Sequence, residues 1–436
     1  MRGSISIPIS DVNRFGDQLC RWIRKETYGL VLRSNHYCYQ NSVTDSLRRY
    51  ELLACTGAVE VFSPTQSHFE TLRNATSKGD WLFGFLGYDL KNQVEKLSSS
   101  NNDGLGFPDV FFVIPEIVYE VNNGTLTIHY HKAKHTKQTA GSMFDRIMAA
   151  PKVEMNHDSN IEFQGRYTKS EYIETVGDVL KHIHRGDIYE MNLCQEFFVN
   201  NCSVNPYETY IKLNSISPMP FSAFGKFSEK FLVSASPERY LQKNGENITS
   251  QPIKGTAPRG KNTDEDKRFA NDLYSNQKER SENVMIVDLV RNDLSRIAQR
   301  ASVSVNELFG IYQFPQVHQM ISTISCRQKP ELDFVDIVKA TFPMGSMTGA
   351  PKIRAMQLIE QYECSKRGLF SGAVGYITPT GNFDFNVVIR SILYNRIKKY
   401  LSCTVGGAIT ANSIPEKEYE ECLLKSLAIR QTLENV

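Results

Sequence analysis

Runs of apolar residues broken by turn formers dominate the first 150 positions, and they read mainly as strands. Residues 109–121 (DVFFVIPEIVYEV) make a β-rich run with a single proline, and Asn122-Asn123-Gly124 leads into the alternating TLTIHY of 125–130. That order predicts a hairpin, because Asn-Gly supplies the positive φ that a tight hairpin turn needs. A polar stretch at 151–170 reads as a connection, and Ser170 opens a helical pattern that closes near Gly186. Beyond it, strand-like segments at 231–242, 318–326 and 372–410 mix with helices without a βαβ rhythm. The last of these reads as a meander, with turns near Thr380-Gly381 and Asn395-Arg396. The pattern predicts an α+β fold of antiparallel sheets with helices on their outer faces.

Two helices carry paired carboxylates. In the segment 281–298, Met285, Ile286, Leu289, Val290 and Leu294 trace one apolar stripe, and Glu279 and Glu282 prolong it toward the N-terminus. Carboxylates on a core-facing stripe are costly unless a cation meets them. Exposed pairing with Lys278 and Arg280 is the alternative reading of one such pair. The final helix repeats the arrangement. Ser413-Ile414-Pro415-Glu416 has the form of a capping box, which makes Glu416 structural, and Glu418 and Glu421 flank Tyr419, Cys422 and Leu423. Together the two pairs offer four hard oxygen donors of the kind Mg²⁺ takes, with waters and a substrate oxygen completing the shell.

Composition narrows the partners. The 436 residues carry 50 Lys and Arg against 48 Asp and Glu, a net charge of +2, so electrostatics give no case for nucleic acid. The N-terminal MRGSISIPISDVNRF lacks an apolar signal region, and nowhere do 18 apolar residues run together. The expectation is a cytoplasmic protein with no membrane span. Nine scattered cysteines without a CxxC pair point to reduced thiols.

Several longer motifs then align. PIKGTAPRG (252–260), SENVMIVDLVRNDL (281–294), FPMGSMTGAPKIRAM (342–356), SGAVGYITPTGNFDFNVVIRS (371–391) and GGAITANSIPEKEYEE (406–421) resemble those of the chorismate-utilising enzymes. That family includes anthranilate synthase component I, aminodeoxychorismate synthase component I, and the isochorismate and salicylate synthases. The resemblance is dense from about Asp187 to the C-terminus and thinner at GFLGYDL (84–90) and VLRS (31–34). It implies two stacked antiparallel β-sheets flanked by helices, with 1–150 and 160–436 as subdomains of one interleaved unit.

What the resemblance implies for the site can be stated residue by residue. Lys254 matches the lysine that marks the aminodeoxychorismate synthases, where it attacks ring C2 of chorismate and expels the C4 hydroxyl. Ammonia then adds at C4 and displaces the lysine. A neutral amine is required, so the lysine pKa is expected to be lowered. Glu279, Glu282, Glu418 and Glu421 match the Mg²⁺ ligands. Tyr376, Arg390, Lys425 and the backbone amides of Gly406 and Gly407 match the site for the enolpyruvyl carboxylate. Ser346 falls at a hydroxyl-bearing position beside chorismate, with Thr348 close by, and His318 matches a histidine that assists loss of the C4 hydroxyl as general acid.

Some positions depart from the family pattern. Glu190 stands where amination enzymes usually carry Gln, an unexpected carboxylate unless it is protonated or paired, with Lys254 as a candidate partner. Met344, Ala408 and Asn412 also differ from the common residues. No cysteine sits in a G-x-C-x-G glutaminase setting, so ammonia is expected from a separate glutamine amidotransferase. VLRS resembles the L-L-E-S of the family's tryptophan pocket, with Ser34 retained and Arg33 in place of Glu, which leaves tryptophan as an open candidate ligand. The alternatives to 4-amination are anthranilate synthase component I and a catalytically silent subunit that binds chorismate or a partner.

Overall fold

Alternating side chains along the strands build two antiparallel sheets, and the computed structural model describes residues 1–35, 50–155, 157–158 and 161–433. One sheet runs in the order Arg2–Pro8, Thr125–His131, Ile117–Asn122, Leu52–Thr56, Tyr28–Arg33, Phe221–Phe227, Lys230–Ser236, Ser391–Asn395, Tyr400–Ile409, Glu190–Val199 and Gly349–Ala350. The other runs Ile253–Pro258, Val317–Arg327, Asn247–Gln251, Arg239–Asn244, Phe383–Val387, Ala373–Ile377, Leu82–Leu86, Val110–Ile114 and Glu60–Phe62. Both sheets draw strands from before residue 150 and after residue 160, so the two halves interleave.

The two-residue period of a strand sends neighbours to opposite faces. Leu30, Leu53, Phe227 and Leu232 of the first sheet meet Phe85, Phe111 and Val374 of the second in one apolar core. Val31, Ala54, Phe224 and Val233 face the other way, onto a second core with Phe15, Leu19 and Trp22. Those three lie on the helix Val12–Trp22, which the strand-dominated reading of the first 150 residues passes over.

The hairpin at 117–131 forms with Asn123 at φ 49° and Gly124 at φ 70°, as the Asn-Gly signal requires. The apolar run before it divides at Pro115: Val110–Ile114 belongs to one sheet and Ile117–Asn122 to the other. The segments at 231–242 and 372–410 divide in the same way. Lys230–Ser236 and Arg239–Asn244 lie in different sheets, and the supposed meander is two hairpins, one in each sheet. The chain changes sheet at Pro237-Glu238 and again at 388–390, where Arg390 takes φ 50°. Hydrophobic periodicity continues through such a crossover, which is why the runs look unbroken in sequence.

Helices start where side chains satisfy their free N–H groups. Lys169–Arg185 is capped by Thr168 and Glu171 in a reciprocal pair, the cap lying two residues before Ser170, and ends at Gly186 with φ 86°. Gln277–Ile297 begins at Asn276, whose side chain accepts the Glu279 N–H. At the last helix, Pro415–Leu433, the expected capping box is not made. The Ser413 hydroxyl accepts the Thr410 N–H and also hydrogen-bonds the Glu418 carboxylate. No described helix is long and apolar enough to cross a membrane. Eight cysteines are free thiols, and Cys38 lies outside the described residues.

Candidate active site

The two inter-sheet crossovers place an acid and a base together. Glu238, at the first, is 4% exposed; its carboxylate accepts the Ile253 N–H and lies close to Ser346, Lys254 and Arg390. Burial pushes its pKa up to about 7 against the pull of those groups, so near neutrality a large fraction is the carboxylic acid. Sequence reasoning passed over Glu238. The guanidinium of Arg390, a half-buried residue at the second crossover, makes no hydrogen bond or ion pair among the described residues, and desolvation brings its pKa down to about 10 while Glu238 opposes the shift. A half-buried guanidinium without a protein partner is a ready carboxylate site.

Lys254 stands on a bulge. Ile253 pairs with Ile321 and Thr256 with Gln319, so the strand gains one residue at Lys254-Gly255. Gly255 has φ 95°, and a Cβ there would lie 3.1 Å from Glu279 Oε2, so only glycine allows this approach. The bulge turns Lys254 toward the other sheet, where its Nζ donates to Glu190 Oε1 at 2.7 Å. The Lys254 side chain is 11% exposed and that of Glu190 1%. Glu190 therefore has the partner that its unusual position called for. The pKa expectation is reversed in this state: burial alone would favour the neutral amine, but Glu190, Glu282 and Glu238 outweigh it and hold Lys254 above the ordinary lysine value.

Four glutamates face this pair from two helices. Glu282 and Glu418 are buried, Glu279 is half-buried, and Glu421 is the most open. Burial, opposed by Lys254 and Lys278, raises Glu282 to about 7; burial and Glu421 raise Glu418. Burial raises Glu279 also, whereas at Glu421 the adjacent Lys425 outweighs burial and lowers the pKa. Lys278 Nζ bridges the helices, 3.7 Å from Glu282 and 3.9 Å from Glu418. Gly407 leaves room for this cluster, since a Cβ there would lie 3.1 Å from Glu418 Oε2 and 3.5 Å from Glu421 Oε1. No three His, Cys, Asp or Glu side chains among the described residues converge closely enough to enclose a metal unaided. The donor chemistry nonetheless suits Mg²⁺: four carboxylates, with Glu282 Oε1 buried and lacking any hydrogen bond.

The remaining expected residues divide. Ser346 is buried, with a hydroxyl that lies beside Glu238 but makes no hydrogen bond of good geometry. Thr348 is turned inward: its hydroxyl donates to the Met344 and Gly345 carbonyls at 3.3 and 3.2 Å, so it shapes the turn. Lys425 Nζ donates to the Gly406 carbonyl at 2.7 Å and pairs with Glu421 at 2.6 Å, at the edge of the glutamate cluster. His318 is 1% exposed and its Nε2 lies 2.9 Å from Asp266 Oδ1. Asp266 also accepts both guanidinium arms of Arg259, which hold its carboxyl well below the usual range. His318 pairs across its strands with Ala257, three residues beyond Lys254, and its contacts belong to Asp266.

Tyr376 is not brought to this cluster. It sits opposite Asp384 in the second sheet, with its ring against Tyr50, Trp81 and Phe83. There it lines a separate pocket with Ser34, because strand alternation points it away from the crossover. Arg33 borders that pocket by its backbone, but its guanidinium runs to the opposite face and donates to Asp17 at 2.7 Å.

A buried latch, absent from the sequence reading, joins the site's walls. Arg367 donates to the Met347 carbonyl at 2.6 Å, the Asn192 carbonyl at 2.9 Å and the Glu363 carboxylate. Glu363 in turn accepts the Cys194 N–H at 2.9 Å, and the Arg367 guanidinium lies 4.6 Å from the ring centre of Tyr88, in the GFLGYDL motif. The latch fixes the Ser346 turn against the strand that carries Glu190.

The chain is similar to known proteins over most of its length. Residues 39–431 match the family model described as chorismate binding enzyme. Aminodeoxychorismate synthase component 1 of Escherichia coli (strain K12) is 34% identical over 353 residues, covering 80% of this chain and 76% of that protein. Anthranilate synthase component 1 of Thermus thermophilus is 33% identical over 357 residues, covering 80% and 77%. The crystal structure of anthranilate synthase component I from Streptococcus pneumoniae superimposes with a TM-score of 0.76 at 26% identity, covering 92% of this chain and 95% of that one. On its motifs, its two-sheet architecture and these matches, the chain belongs to the family of chorismate binding enzymes.

Proposed function

We propose that this chain aminates chorismate at C4, giving 4-amino-4-deoxychorismate through a covalent adduct on Lys254. The observation that carries the reading is the position of Lys254, between the four-glutamate cluster and the crossover that bears Glu238 and Arg390. Relatives named aminodeoxychorismate synthase component 1 and anthranilate synthase component 1 match the chain equally well, so the choice between the two reactions rests on Lys254.

In this reading Arg390 takes the enolpyruvyl carboxylate. Lys425 stays at the edge of the glutamate cluster, held by the Gly406 carbonyl and Glu421. Glu279, Glu282, Glu418 and Glu421 would hold Mg²⁺, which when bound neutralises the ring carboxylate and draws electron density from the ring. Lys254 passes one proton to Glu190, to which it already donates, and its Nζ then forms a bond to C2; the two ring double bonds each shift by one position, and the C4–O bond breaks. Glu238, about half protonated at pH 7, gives its proton to the leaving hydroxide, which departs as water. Ammonia then bonds to C4, the double bonds shift back, and Lys254 leaves. Glu238 takes the general-acid role first assigned to His318, because it is the acid placed beside Lys254; His318 and Asp266 support the strand that carries the lysine.

The test is product analysis of the purified chain with chorismate, Mg²⁺ and an ammonium salt. Aminodeoxychorismate is expected, with no turnover when glutamine replaces ammonium, because the amidotransferase is a separate partner, and no turnover after chelation. Anthranilate or isochorismate as product would overturn the reading.

For the pocket beside Ser34 we infer weak or absent tryptophan binding. Asp384, the carboxylate among its described lining residues, is already bound to Arg239 and Gln242 and so is not free for an amino group. Calorimetry of ligand-free protein with tryptophan is expected to register little heat; a tight isotherm would contradict this.

A further inference from the structure

Three lysines face the glutamate cluster, and two of them are pinned. Lys254 is held by Glu190 at 2.7 Å, and Lys425 by Glu421 at 2.6 Å and by the Gly406 carbonyl at 2.7 Å. Lys278 differs. Its Nζ stands 3.7 Å from Glu282 Oε1 and 3.9 Å from Glu418 Oε1, too far for a hydrogen bond to either, and it makes none to another described residue. Glu282 Oε1, the atom it approaches most closely, is itself buried without a hydrogen bond. Glu279 and Glu421 attract the same ammonium, so all four carboxylates share it. The helix gives no reason for a cation at this place. Lys278 is the second residue of Gln277–Ile297, and a positive charge in a first turn opposes the helix dipole. Its side chain is 42% exposed, whereas those of Glu282 and Glu418 are 10% and 4% exposed.

We propose that Lys278 is a displaceable counter-cation, a tethered ammonium that competes with Mg²⁺ for the carboxylates of Glu282 and Glu418 and swings into solvent when the metal binds. The inference rests on the assignment of Mg²⁺ to the four glutamates made above. Mg²⁺ takes carboxylate oxygens at about 2.1 Å, much closer than the lysine ammonium stands. A dication shared by the two helices therefore claims the position that Lys278 points into, and like charges at such range repel strongly in a partly desolvated site. Of the three lysines, Lys278 alone can leave without breaking a hydrogen bond. Four flexible carbons carry its charge, and its side chain already reaches water. Until the metal arrives, the ammonium offsets the repulsion among carboxylates brought together from two helices. Its expulsion subtracts from the free energy of metal binding. Lys278 thus sets the metal affinity of the site without being a ligand.

The experiment is calorimetric titration of MgCl₂ into the full chain, into Lys278→Met and into Lys278→Arg, with no chorismate present. Methionine keeps an unbranched stem and a good helix propensity, so an exposed first-turn position should accept it. Lys278→Met is expected to bind Mg²⁺ at least about fivefold more tightly than the parent, whereas Lys278→Arg, which keeps the charge, should show no gain. Thermal unfolding gives a second readout that needs no heat of binding. With a chelator present, Lys278→Met should unfold at a lower temperature than the parent, because its carboxylates have lost a cation. Saturating MgCl₂ should close that gap, since the lysine then stands in solvent and no longer matters. Equal Mg²⁺ affinity in the parent and Lys278→Met overturns the inference, as does a gap that MgCl₂ leaves unchanged. Weaker binding by Lys278→Met also overturns it, making Lys278 a support of the metal instead of its competitor. If MgCl₂ neither binds to nor stabilises the parent and Lys278→Met, the metal assignment itself fails and takes this inference with it.

Discussion

Replacing Lys254 by alanine is expected to reduce amination of chorismate by about four orders of magnitude or more, since no other described side chain offers an amine at that place for covalent catalysis. The same change strands Glu190, a carboxylate 1% exposed, without its cation. Breaking a buried pair from one side costs about 3–5 kcal/mol, so Lys254→Ala should also unfold at a lower temperature. Lys254→Arg separates the two effects. Guanidinium keeps the charge and can still pair with Glu190, but it does not act as a nucleophile here. Its turnover should be as poor as that of the alanine variant while its thermal unfolding stays close to that of the parent. An arginine variant with substantial activity would remove the covalent step.

The second large effect belongs to Glu238. Changing it to glutamine removes the proton for the leaving hydroxide and should cost about 10²- to 10⁴-fold in turnover. The pH dependence gives a sharper signature. Because the acid must be protonated to work and burial raises it to about 7, turnover of the parent is expected to decline as pH climbs past that value, and the residual turnover of Glu238→Gln should lack this decline. Stability of the parent should fall over the same range. A carboxyl raised from 4.5 to about 7 on folding contributes fully below its unfolded pKa and loses that contribution as pH rises through the folded one, a change of about 3 kcal/mol. Above pH 7 the glutamine variant should therefore be the more stable protein, measured by denaturant unfolding. Equal stability of the two at pH 8.5 would mean that Glu238 ionises freely in the folded chain.

Physical reasons divide what could be read from the sequence from what could not. The glutamate pairs were legible because a helix repeats every few residues, and Glu279, Glu282, Glu418 and Glu421 declare their faces through the apolar positions beside them. The Asn123-Gly124 turn was legible for the same kind of local reason. Crossovers between sheets were not: residues 231–242 and 372–395 keep their apolar rhythm while the backbone leaves one sheet for the other, so Glu238 looked like a mid-strand residue and Arg390 like the last residue of a strand. The signal that could have singled out Glu238 is Pro237 before it, which cannot donate to a strand ladder. Tyr376 was misplaced because a motif lists neighbours along the chain, whereas alternation decides which cavity each side chain enters. Arg367 and Glu363 escaped notice since their partners are backbone groups far away in sequence.

The account turns on a bond between Lys254 and the substrate ring, and mass spectrometry can look for it directly. Protein mixed with chorismate and Mg²⁺ in ammonia-free buffer, quenched in acid and digested, should yield the peptide bearing Lys254 heavier by chorismate less one water, and the increment should vanish when ammonium is added before the quench. An unmodified Lys254 under conditions where ammonium-dependent product does form would contradict it.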